Sequence, residues 1–197
     1  MPINTFAKVG EFGFCTTYCE PYTDYTYIND GTGHYHVASY VVDGEGQAES
    51  RPTSDNSGTP GYVQELKKGN LYLLKTPEEA GVFGPYGHDG RGVWVRTTTE
   101  DTGMLQVLFN PIPEERKLEF EVVKGSEKES LIVTAEEKRK TVVCVQSYIL
   151  ANDKRIDTGQ FAKILPGNTV QVQLNKGSVI IIVTSERMNI DEKMGLK

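Results

Sequence analysis

The feature that most constrains this chain is its punctuation. Short apolar or alternating runs at 35–42, 70–75, 93–99, 104–109, 118–123, 130–134, 141–150, 169–174 and 178–184 are separated for the most part by Gly, Pro, Asn and Asp clusters. Side chains alternate across a strand with a period of two, so runs of this length and spacing predict about nine to twelve strands in a sandwich or barrel. Helix signals are few. Thr76-Pro77-Glu78-Glu79 offers a cap and a proline at the first helical position, but Gly81 follows within one turn. The expected class is therefore all-β, an antiparallel jelly-roll-like barrel or sandwich. The run 179–183, Val-Ile-Ile-Ile-Val, is continuous rather than alternating and predicts a strand covered on both faces. The polar stretch 45–61, rich in Ser, Thr, Pro and Gly, reads as one exposed loop or flexible hairpin.

Composition narrows the partners. With 197 residues and 38% hydrophobic residues besides 20 glycines, the chain has enough apolar material for one large or two small cores. The net charge is −6, and no basic cluster exceeds Lys138-Arg139-Lys140, so nucleic acid is not an expected partner. No apolar run approaches the ~20 residues of a membrane helix, and the first residues lack a basic-then-apolar leader. The expectation is a protein that is neither membrane-bound nor classically secreted, cytoplasmic or part of an assembled particle. Three cysteines, Cys15, Cys19 and Cys144, cannot all pair within one chain and fit a reducing setting.

A weak internal repeat predicts two related β units, residues 1–112 and 113–197. Ser39-Tyr40-Val41-Val42 precedes a turn at Asp43-Gly44, and Ser147-Tyr148-Ile149-Leu150 precedes one at Asn152-Asp153. Each is followed by a Gly-Asn pair opening a strand, Gly69-Asn70 and Gly167-Asn168. Between the halves, residues 113–140 carry fifteen charges of mixed sign in twenty-eight positions, which reads as solvated strand faces.

Chemistry concentrates in the first half. In Gly33-His34-Tyr35-His36, the two imidazoles are spaced to share one side of a strand and could ligate one metal. This segment, with Ser39-Tyr40-Val41-Val42-Asp43-Gly44-Glu45-Gly46 and Lys68-Gly69-Asn70-Leu71-Tyr72-Leu73, resembles the cupin superfamily over about residues 30–108. The resemblance implies a β-barrel with a His-x-His pair and a glutamate in a first motif, and a Gly-Asp or Gly-Asn step followed by proline and histidine in a second. Two departures stand out. Val37 falls near the place of the acidic ligand, and Gly81 takes the approximate place of the last histidine, with His88 seven residues later. At the repeat offset of 108, the second half has Val142 and Cys144 where the first has His34 and His36. A second metal reading would join Cys15 and Cys19 to His34 and His36, but four residues along a strand span ~13 Å, so that segment would have to turn.

Three functional readings follow. The leading one is a non-catalytic structural or assembly protein with a cupin-like jelly roll and no cofactor. It would self-associate or join a larger assembly, such as the decoration or tail of a viral particle. Its interface would draw on the aromatic N-terminal segment, in which Tyr18, Tyr22, Tyr25 and Tyr27 supply side chains with one apolar and one polar end. The first alternative is a metal-dependent isomerase, epimerase or dioxygenase acting on a small polar substrate. There His34, His36 and His88 would hold a divalent transition metal. The second alternative is a metal-free sugar-binding barrel using Tyr35, Tyr40, Tyr72 and Trp94. No nucleophile elbow, phosphate loop or dinucleotide fingerprint appears.

Overall fold

The structure, a computed structural model, describes residues 5–8, 12–19, 25–27, 36–52, 63–75, 91–97, 103–111 and 118–185. Among them there is no helix, and every strand pairing is antiparallel. The chain divides into two compact units, Met1–Glu115 and Arg116–Lys197. The first contains β1 (Thr5–Lys8), β2 (Phe12–Cys19), β3 (Tyr25–Tyr27), β4 (His36–Asp43), β5 (Glu45–Pro52), β6 (Val63–Lys67), β7 (Leu71–Lys75), β8 (Arg91–Thr97) and β9 (Met104–Pro111). The second contains β10 (Leu118–Lys124), β11 (Ser130–Ala135), β12 (Arg139–Gln146), β13 (Tyr148–Ala151), β14 (Lys154–Asp157), β15 (Phe161–Ile164), β16 (Asn168–Leu174) and β17 (Val179–Ser185).

Each unit holds two sheets with the jelly-roll strand order. In the second they run β10-β17-β12-β15 and β11-β16-β13-β14. In the first they run β2-β9-β4-β7, extended by β1 at its edge, and β3-β8-β5-β6. Strand for strand, β2 to β9 repeat the connectivity of β10 to β17.

The repeat extends to single hydrogen bonds. Val41 donates its N–H to the Asn70 carbonyl (3.1 Å) and accepts from the Gly69 N–H (2.8 Å). Cys144 donates to the Gln160 carbonyl (3.0 Å) and accepts from the Gly159 N–H (2.8 Å). Each of these residues precedes a bulge, between Val41 and Asp43 against β9 and between Cys144 and Gln146 against β17. Val41 therefore corresponds to Cys144 and Gly69 to Gly159. This corrects the sequence alignment of Ser39-Tyr40 with Ser147-Tyr148 and of Gly69-Asn70 with Gly167-Asn168. Those pairs lie on successive strands of the motif, because short Ser-Tyr-Val and Gly-Asn segments fit any strand next to a turn. In the true register His36 matches Arg139.

Two further expectations change. The stretch at 45–61 is not one loop, since β5 occupies Glu45–Pro52 between β8 and β6. Among residues 45–48, whose burial is described, the buried ones are Gly46 and Ala48, too small to register as hydrophobic, and residues 53–62 lie outside the described set. The run 141–150 breaks at Ser147, which takes φ 63° and turns β12 into β13. Asn152 and Asp153, at φ 45° and 62°, form the two-residue hairpin turn expected there, with the left-handed backbone that Asn and Asp tolerate. Val179 through Val183 are all buried, as the continuous apolar run required.

The second unit's core is a closed apolar cluster. It includes Val142 and Cys144 of β12, Ile180 and Ile182 of β17, Ile149 and Ala151 of β13, and Ile156 of β14. Burial pushes the Cys144 thiol up to about 11, so at neutral pH it is a small apolar side chain and not a nucleophile.

Candidate functional site

The registers within each unit match first-unit strand residues to second-unit counterparts by position. Ser39, Val41, Gln106 and Leu108 stand where the second unit has Val142, Cys144, Ile180 and Ile182. Across the bulge, Gly46, Ala48 and Leu66 stand where it has Ile149, Ala151 and Ile156. Two of these exchanges, Ser39 for Val142 and Gln106 for Ile180, replace hydrocarbon with hydrogen-bonding groups. A third, Gly46 for Ile149, removes a whole side chain.

Ser39 and Gln106 are both fully buried, and the Ser39 hydroxyl donates to Gln106 Oε1 at 2.7 Å. They sit diagonally across β4 and β9, since Ser39 pairs with Leu108 and Gln106 with Val41. Buried polar side chains persist when they are hydrogen-bonded, and this pair meets that condition. Sequence reasoning passed over both residues. The signal was present: in Met104-Leu105-Gln106-Val107-Leu108-Phe109, one amide interrupts an otherwise apolar strand.

Of the histidines, His34 and His88 lie outside the described residues, and His36 opens β4 with its backbone paired to Lys75. Among the described residues, no group of three His, Cys, Asp or Glu side chains is placed to hold a metal. Cys15 and Cys19 belong to the unbroken strand β2, paired with Leu108 and Met104, so the turn needed by the mixed thiolate and imidazole site is absent. Tyr22 lies outside the described residues, while the backbones of Tyr18, Tyr25 and Tyr27 pair with Leu105, Val95 and Val93.

The sugar-binding set fares differently. Tyr40 is 2% exposed and belongs to the core. Tyr72 accepts the Lys67 N–H at 2.9 Å and clamps the turn between β6 and β7. Tyr40 therefore has no ring face open to solvent for a stacking sugar, and Tyr72 is half-buried. Tyr35 lies outside the described residues, and Trp94 pairs through its backbone with Glu49 and Thr26. The turn at Asp43 carries an exposed ion pair, in which Lys68 Nζ lies 2.6 Å from Asp43 Oδ1. That hydrogen bond, and then the lysine's charge, hold the Asp43 carboxyl below its ordinary value.

The same architecture recurs in solved structures. YhaK from Escherichia coli superposes with a TM-score of 0.63 at 9% identity, over 93% of this chain and 94% of that one. The bacterial pirin YhhW from Escherichia coli, in complex with nickel(II), gives 0.57 at 11% identity, over 92% and 94%. HutD from Pseudomonas fluorescens gives 0.55 at 12% identity, over 92% and 85%. The chain shares the fold of these structures, as the cupin resemblance of its sequence implied. The likeness covers nearly the whole chain and so includes both units. No protein-family model matches the sequence, and no curated protein matches it either. No helix among the described residues is long and apolar enough to cross a membrane.

Proposed function

We propose that the protein is a cupin-fold binding protein whose first unit takes a small polar ligand into its jelly-roll interior, beside Ser39 and Gln106. The observation that carries this reading is the exchange of Val142, Ile149 and Ile180 for Ser39, Gly46 and Gln106 at matching positions of one architecture. A hydroxyl and a primary amide offer both donors and acceptors, and Gly46 carries no side chain where the second unit has Ile149. Nothing in the comparisons points to a viral particle, and the assembly reading is not carried further.

A metal-dependent activity is the second reading, favoured by the nickel(II) complex of the similarly folded pirin. In this chain His34, His36 and His88 would supply the imidazoles. The described donors, a serine hydroxyl and an amide oxygen already bonded to each other, do not make a metal's ligand set on their own, so no chemical step is derived through one.

Two measurements on the full chain separate the readings. Ligand-detected NMR with a mixture of hexoses, hydroxy acids and amino acids should show binding that disappears in the Ser39→Val, Gly46→Ile double variant. Equal binding by that variant would remove the first unit's interior as the site. Elemental analysis showing about one transition metal per chain, lost in His34→Ala, would establish the metal-dependent reading instead.

A further inference from the structure

A second, independent site lies in the second unit. A cleft of 640 Å³ opens between the β13–β14 hairpin, the turn at Gly159 and β15. Its floor is hydrocarbon from Ala151, Ile156, Ala162 and Val170, continuous with the unit's core, and the Phe161 ring forms one wall. Its rim is formed by Asn152, Lys154, Arg155 and Gln160. No carboxylate lines it, although the chain carries 27 acidic residues against 21 basic ones.

The rim is held in place by its own hydrogen bonds. Asn152 Oδ1 accepts the Gln171 N–H at 2.9 Å, and Gln160 Oε1 accepts the Asp157 N–H at 3.0 Å. With both amide oxygens engaged, the amino groups are the ends left to meet a ligand. Arg155 Nε binds Asp157 Oδ1 at 2.8 Å, and its guanidinium lies 4.1 Å from the Tyr148 ring centroid. A guanidinium fixed at both its stem and its face loses little freedom when its outer N–H groups meet an anion. Lys154 is exposed and adds a second positive charge.

Two other clefts of the unit lack this polarity. One of 720 Å³ mixes Glu127 and Glu129 with Lys128 and Lys176, and one of 480 Å³ mixes Glu136 and Glu137 with Lys138 and Lys140. Their charges offset one another. Of these three, the cleft at β14 and β15 alone is lined by cationic and amide groups without a carboxylate, over an apolar floor.

We propose that this cleft binds a small monocarboxylate bearing an aromatic or branched aliphatic group. The apolar body would lie on Ile156, Ala162 and Val170 against Phe161. The carboxylate would meet Lys154, Arg155 and the amino groups of Asn152 and Gln160. Charge and shape are both needed, because a surface cation alone binds a carboxylate weakly in water.

Phenylacetate and its neutral analogue phenylacetamide test this on the full chain, by calorimetry and by NMR of the labelled protein. Saturable phenylacetate binding in roughly the millimolar range or tighter is expected, with shifts at residues 151–162. Phenylacetamide should bind about tenfold more weakly or worse, and Lys154→Glu, a solvent-facing change, should weaken phenylacetate by a similar factor. Phe161→Ser, with folding checked by the same spectra, should weaken acid and amide alike. No saturable binding, equal affinity for acid and amide, an unchanged constant in Lys154→Glu, or shifts confined to residues 36–111 would each overturn the proposal.

Discussion

The two units set the same strands in the same order and fill them differently. At matched positions, the second unit closes its interior with Val142, Ile149 and Ile180, while the first holds Ser39, Gly46 and Gln106 there. The turn hydrogen bonds of Val41 and Cys144 agree to within about a tenth of an ångström, so the backbone does not explain the contrast. Side-chain choice does. An architecture held by turns and registers tolerates smaller and more polar side chains at these positions in one copy while the other fills them with hydrocarbon.

The largest effect should come from importing one interior into the other. Ile180→Gln places an amide among Val142, Ile149 and Ile182, with no matching serine, and removes a fully buried branched side chain. Loss of packing and an unsatisfied polar group together should cost about 3–5 kcal/mol. Urea unfolding of the full chain, followed by NMR signals of residues 118–185, would measure it. A cost below about 1 kcal/mol would mean that the second interior accepts an amide as readily as the first, and the contrast would collapse.

Legibility followed the same division. In the second unit, strands such as β10 and β16 could be read from alternation and β17 from its continuous apolar run, because nearly all their buried positions are Val, Ile and Leu. In the first unit, β5 hid its buried face in Gly46 and Ala48 and looked like a loop. The strands β14 and β15 are four residues each, too short for a period to show. The cupin resemblance was visible in the Gly44 and Gly69 turns, because their left-handed backbone, φ 81° and 79°, demands glycine. The repeat was sensed but misaligned, since matching residues such as Val41 and Cys144, or Gly44 and Ser147, share geometry and not identity. The Ser39–Gln106 bond joins residues 67 apart, which no local pattern encodes.

A middle-sized effect would sharpen the comparison at the first of those turns. Gly44, at φ 81°, and Ser147, at φ 63°, occupy the same corner. At Gly44 a Cβ would strike the Gly103 carbonyl oxygen. At Ser147 the hydroxyl lies 3.4 Å from Asn175 Oδ1, and the Ser147 carbonyl accepts from the Thr158 hydroxyl at 2.6 Å. Gly44→Ser should cost about 1–3 kcal/mol from backbone strain alone, before the displaced carbonyl is counted. Ser147→Gly exchanges strain relief against a lost exposed hydrogen bond and should fall within about 1 kcal/mol of neutral. Thermal unfolding of both variants reads the difference. Equal costs would show that the corners are not equivalent.

The smallest effect distinguishes the units by charge. Beside that corner the first unit pairs Asp43 with Lys68, whereas the matching second-unit positions are Gln146 and Thr158, which do not titrate. The Lys68 hydrogen bond and charge lower the Asp43 carboxyl from its ordinary 3.8. A carboxylate whose folded value is depressed adds stability that is fully present above its unfolded value and is lost as pH falls through the folded one. The pair should therefore contribute at neutral pH and fade below about pH 4. Both side chains are about two-thirds exposed, at 67% and 68%, so solvent screening holds the contribution under about 1 kcal/mol. Asp43→Asn should lower stability slightly at pH 7 and leave it unchanged near pH 2, and added salt at pH 7 should shrink the gap. If the variant's deficit grew as the pH fell, the carboxyl would be raised on folding, and Asp43 would have a partner other than Lys68.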